Sequence, residues 1–248
     1  MFKSPTLTSR SPAIFVSLFV CSIYAAANFT QVTATWEFDD VHAYLNAAQR
    51  LLDGGPLYVT TPDPSDLYLY APWFAFAWVP FTVLPLLAVE VAWAAVLLAS
   101  TVAAVMPFRS TWAGIALALL LGGLLYRTAG WGNVQPLLVA ALIYAVPTRA
   151  GPWAIGVAGS LKPLALGLLV VHAWRREWRS VGIGLGVAAV LWLPILFFGL
   201  SSYPFGLREP NLYDATILLV VPGLVAGVGD LRRPIPALSG IRRRARIA

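Results

Sequence analysis

Eight apolar runs, at about 13–33, 71–87, 88–106, 112–126, 136–147, 153–172, 181–199 and 214–229, fill most of the chain and leave only short connectors. Several approach the ~20 residues that a helix needs to cross a bilayer. In lipid, a segment must satisfy its backbone hydrogen bonds internally, so these runs are read as helices. A soluble alternative fails on charge. Only 11% of the 248 residues are charged, against about a quarter in soluble domains, and the mean hydropathy is +0.75. The chain therefore reads as an all-α integral membrane protein, a polytopic bundle of about eight hydrophobic segments. No soluble module, repeat or low-complexity stretch interrupts it, so residues 1–248 form a single transmembrane domain. That domain carries an outer loop (34–70) with a juxtamembrane helix and a basic tail (231–248).

Some runs are broken. Pro72, Pro80 and Pro85 interrupt 71–87, the run 136–147 has only a dozen residues, and Lys162-Pro163 divides 153–172. Proline removes a donor and kinks a helix. Irregular backbone at membrane depth is tolerated only against protein or a water-filled cavity. A single proline is most simply a structural kink, but together the breaks hint at a site and at re-entrant segments.

The net charge of +6 is concentrated. Arg232, Arg233, Arg242, Arg243, Arg244 and Arg246 crowd the tail, Arg175, Arg176 and Arg179 one connector, and Lys3 and Arg10 flank the first run. Basic clusters beside spans mark the cytoplasmic side, which predicts a multi-pass cell-membrane protein with both termini inside and the 34–70 loop outside. A nucleic-acid partner is not expected, because the basic tail abuts a span and serves no separate domain. The first run, with Ala25-Ala26-Ala27 near its end, also resembles a signal peptide. The spanning that follows favours a retained anchor. Two topologies remain open. Eight plain crossings put the 127–135 connector inside. Treating 71–87 and 153–172 as re-entrant or half-spanning moves that connector outside, beside the first loop, and gathers Arg109, Arg149 and the Arg175 cluster inside.

Cys21 is the only cysteine, which rules out an intrachain disulfide or a cysteine zinc site. His42 and His172 are too few and too distant to suggest a metal cluster, and no cofactor is expected.

The polar residues that suggest chemistry lie in the outer loop. Glu37, Asp39 and Asp40 place three of the eleven acidic residues within four positions. Apolar residues then recur at helical spacing from Val41 to Leu52, and Asp53-Gly54-Gly55-Pro56 stops the helix. An acidic pair at a helix start suits an N-cap and the helix dipole. A carboxylate at a membrane surface also suits acceptance of a proton from a sugar hydroxyl, and one aspartate can do both. Tyr58 follows in a turn, then Tyr68-Leu69-Tyr70-Ala71-Pro72-Trp73 leads into the next run. Interfacial aromatics have a structural use in any membrane protein. A lysine within a span, here Lys162, either snorkels or functions. Glu90, at a span start, has no assigned role.

This order of features resembles glycosyltransferase family 87, the polyprenyl-phosphate-mannose-dependent mannosyltransferases of the GT-C fold. Asp40 stands four before Tyr44, Gly54 four before Tyr58, and Tyr70-Ala71-Pro72 takes the place of Tyr-Pro-Pro. Gly132-Asn133-Val134-Gln135 is similar to a Gly-Gln-x-Asn landmark with its amides exchanged. Gly156, Gly159 and Lys162-Pro163, followed by Arg175-Arg176-Glu177-Trp178-Arg179, complete the pattern over about 13–199. Members of that family run on through further spans, so the chain reads as a short or truncated member. The resemblance implies a GT-C-like membrane enzyme that moves a hexose, mannose first, from a polyprenyl-phosphate sugar to a lipid or glycan acceptor on the outer face. Asp40 would be the catalytic base. Asp39, Tyr44, Tyr58, Tyr70, Arg127, Asn133, Gln135 and Lys162 would bind substrate, with Arg127 and Lys162 facing the phosphate. The competing reading is a non-enzymatic transporter or accessory subunit, since broken helices with a buried lysine occur there too, or a truncated, inactive transferase.

Overall fold

The computed structural model describes residues 12–34, 36–61, 63–108, 112–198, 203–204 and 214–219, and among them the protein is all helical. The basic C-terminal tail and the basic residues Lys3, Arg10 and Arg109 lie outside the described residues. In chain order the helices are α1 (Pro12–Ala34), α2 (Asp39–Leu52), α3 (Pro72–Trp78), α4 (Leu86–Val105), α5 (Trp112–Gly130), α6 (Gln135–Ala145), α7 (Gly151–Leu161), α8 (Leu169–Trp174), α9 (Trp178–Trp192) and α10 (Ile195–Phe198). Short 3-10 turns extend several of them. Two stretches, Leu86–Phe108 and Trp178–Phe198, are long and apolar enough to cross a membrane by length and composition. The fully described apolar stretches of the other helices, Phe15–Asn28, Gly114–Gly130, Gln135–Ala145 and Pro163–Trp174, are shorter, so the structure does not itself establish eight full spans.

Proline sets many of the boundaries. Pro72, Pro136 and Pro152 occupy the first turns of α3, α6 and α7, where their missing N–H costs nothing. Pro163 ends α7: Lys162 adopts an extended conformation (φ −131°, ψ 96°), and a 3-10 helix (Pro163–Leu168) continues into α8. The expected break at Lys162-Pro163 is present. The run 71–87 is likewise broken: α3 has seven residues, about 10 Å of helix, too short to cross.

The outer loop holds the expected helix. α2 buries Val41, Tyr44, Ala47 and Ala48 along one stripe, carries Asp39 and Asp40 in its first turn, and ends with Arg50 in its last. One expectation is corrected here. The acidic pair does not precede the helix as a cap: the capping position is Phe38, left-handed at φ 50°, with no side-chain cap. The aspartates are the first two helical residues and act on the helix through its dipole. Phe38 N–H and Asp40 N–H instead donate to the carbonyls of Gly130 and Trp131 at 3.4 and 3.0 Å. The loop helix is thus stitched to the end of α5.

Small residues allow close helix packing. A Cβ on Gly156 of α7 would lie 2.6 Å from the Gly184 carbonyl oxygen of α9, so the two helices meet at backbone distance. Large apolar side chains face outward, among them Phe15, Phe19, Val83, Leu87, Val91, Trp174 and Phe197. Apolar exposure on this scale suits a lipid-facing exterior. At one end of the bundle, α2 meets the last turn of α5 with the turn that follows it (together residues 128–134) and the start of α4, while the Tyr70–Trp73 segment meets the end of α7. Of the two topologies, this agrees with the one that sets the 127–135 connector beside the first loop. In that arrangement Arg149 and the Arg175–Arg179 connector fall at the opposite ends of α7 and α9.

Candidate active site

Asp40 reaches its partners because α2 and the 128–134 turn interlock. Gly132 is left-handed (φ +73°), and a Cβ there would come within 2.4 Å of Val41 Cγ2 and 3.2 Å of Val41 N. Glycine at this position lets the turn lie directly on the first turn of α2. The next residue, Asn133, then points its amide at Asp40. Asn133 Nδ2 donates to Asp40 Oδ2 at 3.0 Å, while Tyr70 OH and Tyr44 OH donate to Oδ1 at 3.2 and 3.4 Å. Tyr44 OH also lies 3.2 Å from Tyr70 OH, and Asn133 Nδ2 3.1 Å from it. Asp40 itself is half-buried. Three neutral donors fix the direction of this carboxyl group, while its partial exposure leaves it open to a substrate.

Lys162 approaches from the break after α7. It is buried, with Nζ 5.5 Å from the centroid of the Tyr70 ring, within cation–π range. Asp40 and Lys162 therefore flank Tyr70, one at its hydroxyl and one at its ring face. Arg127 places its guanidinium 5.4 Å from the Trp131 ring centroid.

The remaining nominated residues sit around this centre. Tyr58 is buried, donates to the Tyr70 carbonyl at 2.9 Å and packs on Tyr68 and Tyr203, so it holds the loop in place. Burial pushes its phenol pKa up, as it does for Tyr44 and Tyr68, which keeps all three protonated as donors. Gln135 is buried at 1% exposure and donates to Thr216 Oγ1 at 2.9 Å, joining α6 to the 3-10 helix Asp214–Leu219. Asp39 lies beside Asp40 near the surface. Its carboxyl is raised above the ordinary range first by desolvation and then by Asp40, with His42 opposing.

The backbone N–H groups at the start of α6 already have acceptors within the protein. Gln135 N–H donates to Asn133 Oδ1 at 3.0 Å and Val134 N–H to Tyr44 OH at 3.3 Å. Both amides serve the site's own scaffold.

An apolar cavity of about 540 Å³ adjoins the polar cluster, its wall including Trp73, Phe74, Trp78, Val89, Trp93 and Leu138. Phe74 links the two, its ring centroid 4.9 Å from that of Tyr44 and 5.5 Å from that of Tyr70. Sequence reasoning did not anticipate this cavity, because its wall draws on α3, α4, α6 and α7. Nor did it give a role to Glu90, whose Oε1 lies 2.8 Å from His42 Nε2. The available signal was an acid inside an apolar run. Among the described residues, no group of three or more His, Cys, Asp or Glu side chains is placed to hold a metal ion.

A half-buried carboxyl group held by amide and phenol donors beside an apolar cavity marks a helical-bundle protein with a polar cluster next to an apolar pocket. Residues 68–214 match glycosyltransferase family 87, and the chain belongs to that family. It is a glycosyltransferase. The match includes Tyr70, Arg127, Asn133, Gln135 and Lys162, whereas Asp39, Asp40, Tyr44 and Tyr58 precede it. The two long apolar helices and the family together point to a membrane protein. No curated protein and no solved structure matches the chain.

Proposed function

We propose that the protein transfers a hexose, mannose first, from a polyprenyl-phosphate sugar to a hydroxyl of a lipid or glycan acceptor at the outer face of the membrane. The carrying observation is the joining of Asp40, through Tyr70 and Phe74, to both a buried lysine and an apolar cavity. A donor with a prenyl tail, a phosphate and a sugar asks for these three environments in contact.

In this reading the prenyl chain lies in the cavity and the phosphate faces Lys162. The acceptor hydroxyl approaches Asp40. Its oxygen attacks the anomeric carbon while Asp40 takes the proton. The glycosidic bond to phosphate breaks, and the polyprenyl phosphate leaves with the bonding electrons. Lys162 and Arg127 are the cations available to that leaving group, and a fixed cation beside an apolar wall acts strongly on developing charge. Tyr44, Tyr70 and Asn133 hold the base aimed, and Asp39 stands at the acceptor side.

Reconstituted protein supplied with radiolabelled polyprenyl-phosphate mannose and a lipid acceptor extract tests the proposal. Asp40→Asn preserves the side-chain shape but removes the base, which typically contributes ~10²–10⁴-fold. Transfer is expected to fall at least ~10²-fold with unchanged protein yield. Turnover near the unmodified rate would leave Asp40 a structural role only.

A further inference from the structure

Two residues one helical turn apart on α4 reach the two halves of the site. Glu90 pairs with His42 on α2 at 2.8 Å, with side chains 18% and 30% exposed. Trp93 Nε1 donates to the Gly132 carbonyl at 2.7 Å, in the turn that carries Asn133. Positions i and i+3 share a helix face, so a single face of α4 grips both the helix bearing Asp40 and the turn bearing its amide partner. That face also walls the apolar cavity through Val89, Ala92, Trp93 and Val96. The Trp93 ring lies 5.0 Å from that of Trp78 across the cavity lining, and Trp78 lies 5.0 Å from Tyr44.

We infer that His42 and Glu90 are a positioning pair, and that α4 transmits occupancy of the apolar cavity to the placement of Asp40. The inference rests on the reading that the cavity takes the donor's prenyl chain and that Asp40 is the base. A chain entering the cavity presses on α4 and Trp93. Because Glu90 and Trp93 move with the same helix, α2 and the 128–134 turn follow together, and the Asp40–Asn133 contact keeps its geometry. Without the Glu90 tie, α2 follows only through its contacts with the turn and its register to Asn133 loosens. Displacement of a reacting group by about 1 Å can cost ~10²-fold in rate. The effect therefore falls on the chemical step, while the cavity itself still binds the chain.

The test compares Glu90→Leu, which removes the tie, with Glu90→Gln, which keeps a hydrogen bond to His42. In the reconstituted full chain, Glu90→Leu is expected to lower kcat roughly tenfold with the donor KM changed less than about twofold, and Glu90→Gln to recover most of the loss. A raised KM at unchanged kcat, or equal loss in both variants, overturns the positioning role. A second measurement needs no turnover. Amide hydrogen exchange is followed with a polyprenol lacking phosphate, so that no headgroup touches Asp40. In the unmodified protein the polyprenol should slow exchange in the cavity segments, the 128–134 turn and the start of α2. In Glu90→Leu the slowing at the start of α2 should fall at least severalfold while that in the cavity persists. Equal slowing at α2 in both proteins overturns the coupling. This exchange pattern in a protein that transfers no sugar would refute the proposed reaction and still support the coupling.

Discussion

Asp39 and Asp40 are adjacent in sequence, yet the fold gives them different tasks. Asp40 turns inward to Tyr44, Tyr70 and Asn133, whereas Asp39 stays near the surface with a carboxyl raised by desolvation and by its neighbour. Asp39's folded pKa lies above its ordinary value of 3.8, so the folded chain holds that proton more tightly than the unfolded one. The penalty is absent below both values and grows as pH rises through them. Asp39→Asn should therefore gain thermal midpoint relative to the unmodified protein at pH 7, and the gain should shrink toward pH 4. The effect should be small, because the group is largely solvent-screened. A difference that is constant with pH would show that Asp39 titrates alike in both states. The candidate base was legible at this scale, from an acidic cluster of unusual density and its spacing to Tyr44. The capping detail was not, because it depended on Phe38 entering the left-handed region to meet α5.

At the scale of elements, the contact between α2 and the turn following α5 brings the site together. Gly132 permits it, and Gly132→Ala should break it. The new Cβ would clash with Val41, including its backbone nitrogen 3.2 Å away, and the left-handed conformation itself costs a non-glycine residue about 1–2 kcal/mol. The thermal midpoint should fall by about 5 °C or more, and transfer should fall with it as Asn133 withdraws from Asp40. A midpoint and rate both unchanged would show that the turn relaxes without disturbing the site. The helix breaks at Pro72 and Lys162-Pro163 were readable from proline chemistry alone. What Lys162 faces after the break was not, since a buried lysine reads equally as snorkelling or functional until Tyr70 is seen beneath it.

For the whole molecule, helix directions set an orientation. The 34–70 loop, the 128–134 turn and the end of α7 share one end of the bundle, and the Arg149 connector lies at the other. With the basic clusters cytoplasmic, the site end is expected outside. In a Cys21→Ser background, Pro64→Cys should react with a membrane-impermeant thiol reagent on intact cells, and Thr148→Cys should react only after permeabilisation. The reverse pattern would invert the proteins's proposed orientation and move the site to the cytoplasmic face.

The sequence by itself determined that this chain is helical and apolar, where proline divides it, and which acidic helix deserves suspicion, because these follow from local composition and backbone chemistry. Only the tertiary structure decided that Asn133, 93 positions from Asp40, is its hydrogen-bond partner, and that Glu90 grips His42. It also decided that four helices line a cavity beside them. Those contacts depend on how helices pack and which ends meet, and no periodicity along one segment carries that information.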